Sequence, residues 1–288
     1  MRRLVVNADD FGLSPANNRG VLEAHHNGIV TSTTVMINYP DAPAAIEQAL
    51  ASAPDLGLGL HLDLTSGRPA SDPATVPSLV DANGAFRPID QWSTFGAQLV
   101  GDEIRREFEA QFERFVSLAG RKPDHLDSHY HVTYVHPDAF AAMLELAAAH
   151  HLPLRESPVP LGGEDHAAHA AVQAMVPNTT PQAAAEIVER LREVLAQGPA
   201  PIYPARFEGG FWGVRATLGD LLVILTTLPE DSTTELMCHP GYADETTLVA
   251  YPGLAPRIEE LRHLTDPATR ECVQASFLML ATFADLMA

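Results

Sequence analysis

Two periodicities alternate along this chain. Short runs of β-branched and apolar residues are followed by longer stretches in which apolar positions recur every three or four residues, the pattern of repeated β/α units. Residues 4–7 predict a buried strand. Ser14 followed by Pro15 predicts a helix start, a capping hydroxyl ahead of a preset φ, and that helix should stop near Gly28. Residues 31–38, dense in Thr, Val and Ile, predict a second strand. Pro43 opens a second helix that fades by Pro54, and residues 56–64 predict a third strand. The stretch from 66 to about 95 begins rich in Pro, Ser, Asp and Gly and reads as an irregular excursion. A charged helix over 95–119 sets Ile104, Phe108, Phe112 and Phe115 at helical spacing, a stripe facing a core.

Beyond it the pattern predicts a strand over 125–134, a helix over 137–151, a short strand over 152–156 and a second excursion over 157–180. Helices at 181–198 and 218–228, strands at 202–207 and 233–238, and helices near Pro256 and Pro267 complete the series, with an apolar run at 277–280. Neither a repeat nor a linker interrupts it. The expected architecture is one domain over 1–288, α/β, a distorted TIM-like β/α barrel rather than an open doubly wound sheet, because the units continue for the whole length.

Charge narrows the partners. The chain carries 18 Lys and Arg against 37 Asp and Glu, a formal net charge of -19. Such a body repels nucleic acid and anionic membrane and favours a neutral substrate. Cys238 and Cys272 are too few for a disulfide framework and suit a reducing compartment. The first apolar stretch is broken by Asn7, and no apolar run approaches the roughly 18 residues of a spanning helix. The expected location is therefore the cytoplasm.

The unusual polar residues fall at the ends of the presumed strands: Asp9 and Asp10, His61, Asp127 with His129 and His131, Arg155, and His239. In a β/α barrel those ends form one face, where active sites are built. Each has a plainer reading taken singly. Adjacent acids complement helix dipoles, and a lone strand histidine such as His61 is often satisfied in the core. Together they have metal-site chemistry. If residues 125–134 form a strand, Asp127, His129 and His131 share a face. One of the two neighbouring carboxylates can bind a cation while the other serves as a base. Two imidazoles with one carboxylate leave an open coordination position, as catalytic rather than structural sites do. His239, held between a strand and Pro240-Gly241, is the natural proton donor. Phe207-Glu-Gly-Gly-Phe-Trp212 offers Trp212 as a surface on which a sugar ring could stack.

At these residues the chain resembles the YdjC-like carbohydrate deacetylases, including ChbG-type chitooligosaccharide deacetylases and hopanoid-associated HpnK proteins, over nearly its whole length. The resemblance is carried, in order, by Asn7-Ala-Asp-Asp-Phe-Gly12, Asn27-Gly-Ile-Val-Thr-Ser-Thr-Thr34 with Asn38, Gly59-Leu-His61, Gly120-Arg-Lys-Pro123, His125-Leu-Asp-Ser-His129, Arg155 and His239-Pro-Gly241. It implies a barrel similar to that of NodB-type polysaccharide deacetylases, with Asp10, His61 and His129 holding one divalent ion, Mg or Zn. It also implies Asp9 as general base, His239 as general acid and Arg155 as the residue that orients or charge-balances Asp9. Asp127, His131, Trp212 and Tyr242 stand as outer-sphere or substrate-facing candidates. The implied substrates are small saccharides or glycoconjugates containing N-acetylglucosamine, and the family is often dimeric. The chain departs from the family pattern at Tyr130 and Thr133, which replace histidines and bear on substrate choice rather than on the metal.

Two other readings differ in what they require. A metal-dependent phosphoesterase needs several metals and a basic clamp, yet Lys is scarce and Arg155 stands nearly alone at the face. An inactive sugar-binding protein would lack the base or the acid, and both are present.

Overall fold

The computed structural model describes residues 2–176, 178–242 and 256–287. The chain divides into two compact units, residues 1–60 with 203–288, and residues 61–202. The class is the expected one, α/β with parallel strands in a distorted β/α barrel fold. Among the described residues no helix is long and apolar enough to cross a membrane.

The first unit is organised around β1 (Arg2–Phe11), whose residues from Leu4 onward are buried. Val5-Val6 continues into polar residues without leaving the interior, so this strand delivers charged side chains to a buried end. It is followed by α1 (Pro15–Asn27), β2 (Ser32–Val35) and α2 (Ala42–Ser52). Ser14 caps α1 by accepting the amide of Asn17, and Gly28 ends it, as the sequence predicts. All the pairings of β1, with β2, with β6 (Ser232–Cys238) and with β7 (Leu278–Ala281), are parallel. β7 pairs with residues 2–5 and β2 with residues 7, 8 and 11, while β6 lies along residues 2–8. One strand thus has three neighbours, a splay that a regular sheet does not allow and that constitutes the distortion. The apolar run expected at 277–280 supplies β7. The strand expected at 202–207 shrinks to β5 (Arg206–Glu208) beside β6. β3 (Gly57–Leu62) pairs with β2 and carries the chain onward into the second unit.

In the second unit the expected helix over 95–119 is broken. A single turn, α3 (Trp92–Phe95), precedes α4 (Gly101–Ala119), because Gly96 and Gly101 weaken the helix between them and Ser78 Oγ accepts the amide of Val100 at 3.0 Å. Ile104, Phe108, Phe112 and Phe115 are all buried, as their spacing predicts. The strand expected over 125–134 stops early: β4 is Leu126–Ser128, and residues His129–Val135 form a 3-10 run with Tyr130 and His131 at φ 50° and 56°. The strand expected over 152–156 reduces to one parallel bridge between Leu126 and Leu154, since Pro153 has no amide to donate. The second excursion contains a helix, residues Asp165–Met175, which buries Ala168 and Val172 one turn apart. Its Ala-rich text is strongly helix-forming, an advantage that the nearby Pro and Gly obscured. It lies between the helices Pro137–His150 and Pro181–Gln197 in sequence.

Candidate active site

The first unit holds two neighbouring acids and a histidine, Asp9, Asp10 and His239. From Ala8 to Phe11, β1 advances three residues while β2 advances two, from Thr33 to Val35. The extra residue is a β-bulge, and it falls on Asp9-Asp10. Asp10 takes φ 69°, a left-handed conformation that costs an L-residue roughly 1–2 kcal/mol. The bulge sends the two buried carboxylates to different partners. Asp9 Oδ1 accepts from Asn7 Nδ2 at 2.8 Å, and the same amide reaches Thr34 Oγ1 at 3.3 Å. Asp10 offers its carbonyl to Asn17 Nδ2 at 2.8 Å and its Oδ2 to the Arg257 guanidinium. Gly12 allows the turn that follows: its φ is 93°, and a Cβ there would stand 3.1 Å from Ala42 Cα.

His239 follows β6. Its Nε2 lies 3.9 Å from Asp9 Oδ2, and its Nδ1 3.7 Å from Glu260 Oε2, which also accepts the His239 amide at 2.5 Å. Burial pushes this imidazole's pKa down. The hydrogen bond and charge of Glu260, together with the charge of Asp9, outweigh burial and the opposing Arg257, and the net shift is upward. The protonated form of His239 is therefore favoured beside Asp9. Trp212 is 59% exposed next to fully buried Phe211, and the adjacent Gly213 amide donates to Glu260 Oε1 at 3.4 Å. Tyr242 is committed to α1: its hydroxyl donates to Glu23 and its ring lies under Arg19, 5.9 Å from centroid to guanidinium carbon.

The second unit holds its own pair of imidazoles, His61 and His129. Asp127 stands fully buried between two partners, His61 Nδ1 at 2.6 Å and Arg155 Nη2 at 3.0 Å. A carboxylate can only accept here, so the His61 proton sits on Nδ1 and the lone pair on Nε2. That Nε2 lies 3.3 Å from His129 Nδ1, with the rings nearly perpendicular at 69°. Two imidazole nitrogens bound to one tetrahedral zinc-like ion, with bonds of about 2.0–2.1 Å, would stand about 3.3 Å apart. The donor pair therefore fits a divalent cation, and the Asp127 contact is the carboxylate support that metal-ligating histidines usually have. The Arg155 carbonyl accepts from Tyr134 Oη at 3.0 Å, which fixes the backbone behind the guanidinium.

One geometric expectation is corrected. Asp127, His129 and His131 do not share a strand face, because the chain leaves β4 at Ser128 and turns left-handed at Tyr130 and His131. The His131 ring instead packs near Tyr134, with centroids 6.2 Å apart. The sequence reading also omitted Arg257, Glu260 and Asn17. Pro256-Arg-Ile-Glu-Glu-Leu reads as a solvated helix start. The available signal was that Glu260 and Leu264, one turn apart, share the buried face of the helix Pro256–Leu264.

The family model for YdjC-like proteins matches residues 3–275. A carbohydrate deacetylase of Geobacillus stearothermophilus is 36% identical over 269 residues, 92% of this chain and 90% of that protein. A chitooligosaccharide deacetylase of Serratia marcescens is 34% identical over 285 residues, 98% of both chains. Among solved structures, a protein of Enterococcus faecalis V583, provisionally described as a cellobiose-phosphate cleavage protein, has a TM-score of 0.80 at 30% identity, covering 99% of this chain and 98% of that one.

Proposed function

The chain belongs to the YdjC-like protein family, and from that premise we propose that it is a metal-dependent carbohydrate N-deacetylase acting on small saccharides that carry N-acetylglucosamine. In this reading Asp10, His61 and His129 are the ligands of one divalent ion, Mg or Zn, and residues 1–288 act as a single catalytic domain. The observation that carries the reading is the His61–His129 nitrogen pair, spaced as two ligands of one ion and backed by Asp127. The curated relatives named as deacetylases support the same chemistry.

The bound cation supplies Lewis acidity at the amide to be cut. Asp9, held by Asn7, takes a proton from the attacking water. Asp9 also depends on Arg155 for charge balance, as the family resemblance implies. His239, kept protonated by Glu260, gives its proton to the departing amine nitrogen. Trp212, exposed beside the Glu260-bound Gly213, packs against the apolar face of the sugar.

The name of the Enterococcus protein raises a phosphate-directed alternative. Against it, the guanidiniums of Arg155 and Arg257 are each engaged by a carboxylate, Asp127 and Asp10, and a phosphate site would need such groups for its own charge. The test is acetate release from N-acetylglucosamine and its dimer and trimer, with and without a chelator, alongside phosphate and sugar release from a phosphorylated disaccharide. Chelator-sensitive acetate release supports the proposal. Cleavage of the phosphorylated sugar without acetate release from any N-acetylated compound refutes it.

A further inference from the structure

The helix Pro256–Leu264 lies far in sequence from Asp10, yet it sends a charged side chain to it. Arg257 is nearly buried; its Nη2 donates to Asp10 Oδ2, and its Nη1 donates to Asn17 Oδ1 at 3.1 Å. Asn17 uses its other end, Nδ2, on the Asp10 carbonyl at 2.8 Å. The three residues close a ring that grips the main chain and the side chain of Asp10 together. The ring is itself anchored, since the Arg257 carbonyl accepts the amide of Gly241 at 3.2 Å. A Cβ at Gly241 would stand 2.7 Å from Asn17 Oδ1, so this glycine leaves space for the asparagine.

Asp10 has particular need of such a grip. It occupies a bulge in a left-handed conformation, where the backbone alone gives little control over where the carboxylate points. Guanidinium geometry suits the task, because two nitrogens of one planar fork can serve two acceptors at once, and lysine cannot reproduce that. We propose that Arg257 is a positioning residue that, with Asn17, fixes the orientation of the Asp10 carboxylate for cation binding. The inference rests on the proposed role of Asp10 as a ligand. Arg257 lies outside the ligand set and acts only through Asp10.

The test is calorimetric titration of zinc ion into metal-stripped full-length protein. Outer-shell partners of metal ligands typically contribute 10- to 100-fold to affinity, so Arg257→Met is expected to weaken zinc binding by about that factor. Arg257→Lys is expected to fall between it and the parent, and it keeps the test decisive if the methionine variant does not fold. Asn17→Ala should weaken binding in the same direction, and its effect should be less than additive with that of Arg257→Met. Arg262→Met, on the exposed side of the same helix and paired with Glu259, should leave the affinity within about twofold. Unchanged zinc affinity in folded Arg257→Met or Arg257→Lys overturns the inference. Tighter binding also overturns it, because Arg257 would then be a competitor of the ion. His61→Ala, titrated in parallel, separates the two levels: if it binds zinc as the parent does, the ligand reading itself has failed.

Discussion

The bulge at Asp9 and Asp10 gives two neighbouring carboxylates different surroundings, one facing Asn7 and His239, the other Arg257 and Asn17. Their roles should separate experimentally. Asp9→Asn is expected to retain bound metal and to lose about 10²- to 10⁴-fold in turnover, the usual worth of a general base; metal content and kcat measured on one preparation check this. If metal is lost instead, the two acids exchange roles. Asp127→Asn changes the acceptor that holds His61 in its tautomer, so metal affinity should fall by about 10- to 100-fold while the fold, followed by circular dichroism, persists. At this scale the sequence was informative about residue types and chain positions. Asp9, Asp10, His61, Asp127, His129 and His239 all fall at or just beyond strand ends. It said little about Arg257 and Glu260, because an Arg and a Glu three apart at a helix start look the same whether they face solvent or a buried carboxylate and an imidazole.

The apolar stripe expected in the helix over 95–119 holds where α4 forms, from Gly101 to Ala119, while elements read from irregular text differ more. The stripe Ile104, Phe108, Phe112 and Phe115 is buried. Phe108→Ala should cost about 3–5 kcal/mol of unfolding free energy, measured by denaturant titration. The strand expected at 125–134 failed for a local reason: Tyr130 and His131 adopt positive φ, which alternation of residue types cannot reveal. The loop after β3 is better anchored than its composition suggested. Buried Glu107 on α4 accepts the amides of Ala70 and Ser71 at 2.8 and 3.0 Å and the Gln111 side chain at 2.8 Å. Glu107→Ala should therefore raise amide hydrogen exchange at Ala70 and Ser71 well before it affects the interior of α4. Burial raises the Glu107 pKa, with its hydrogen bonds opposing, so this anchor is weakened by acid at a higher pH than an ordinary glutamate contact would be.

For the whole molecule, an acidic body with a raised-pKa histidine makes pH the natural probe. His239 must be protonated to act, so activity should fall as pH rises through its pKa, which lies above the ordinary imidazole value of 6.5. Glu260→Gln keeps an acceptor for the Gly213 amide but removes the charge, and should move this alkaline limb to lower pH. An unmoved limb would mean that another group sets it. The same shift contributes to stability with a definite sign. A histidine raised in the folded state stabilises fully below its unfolded value and ceases to as pH rises through the folded one. The fold class and the parallel β/α order were legible in the sequence because they follow from periodicity. The splay of β1 among three neighbours was not, since it depends on pairings between residues 2–5 and 278–281 at opposite ends of the chain. The most direct measurement of the central claim is metal content per chain, by elemental analysis, of the parent protein and of Asp10→Ala, His61→Ala and His129→Ala. The expected result is one divalent ion in the parent and a near-complete loss in each variant. Full occupancy retained in the folded variants would contradict it.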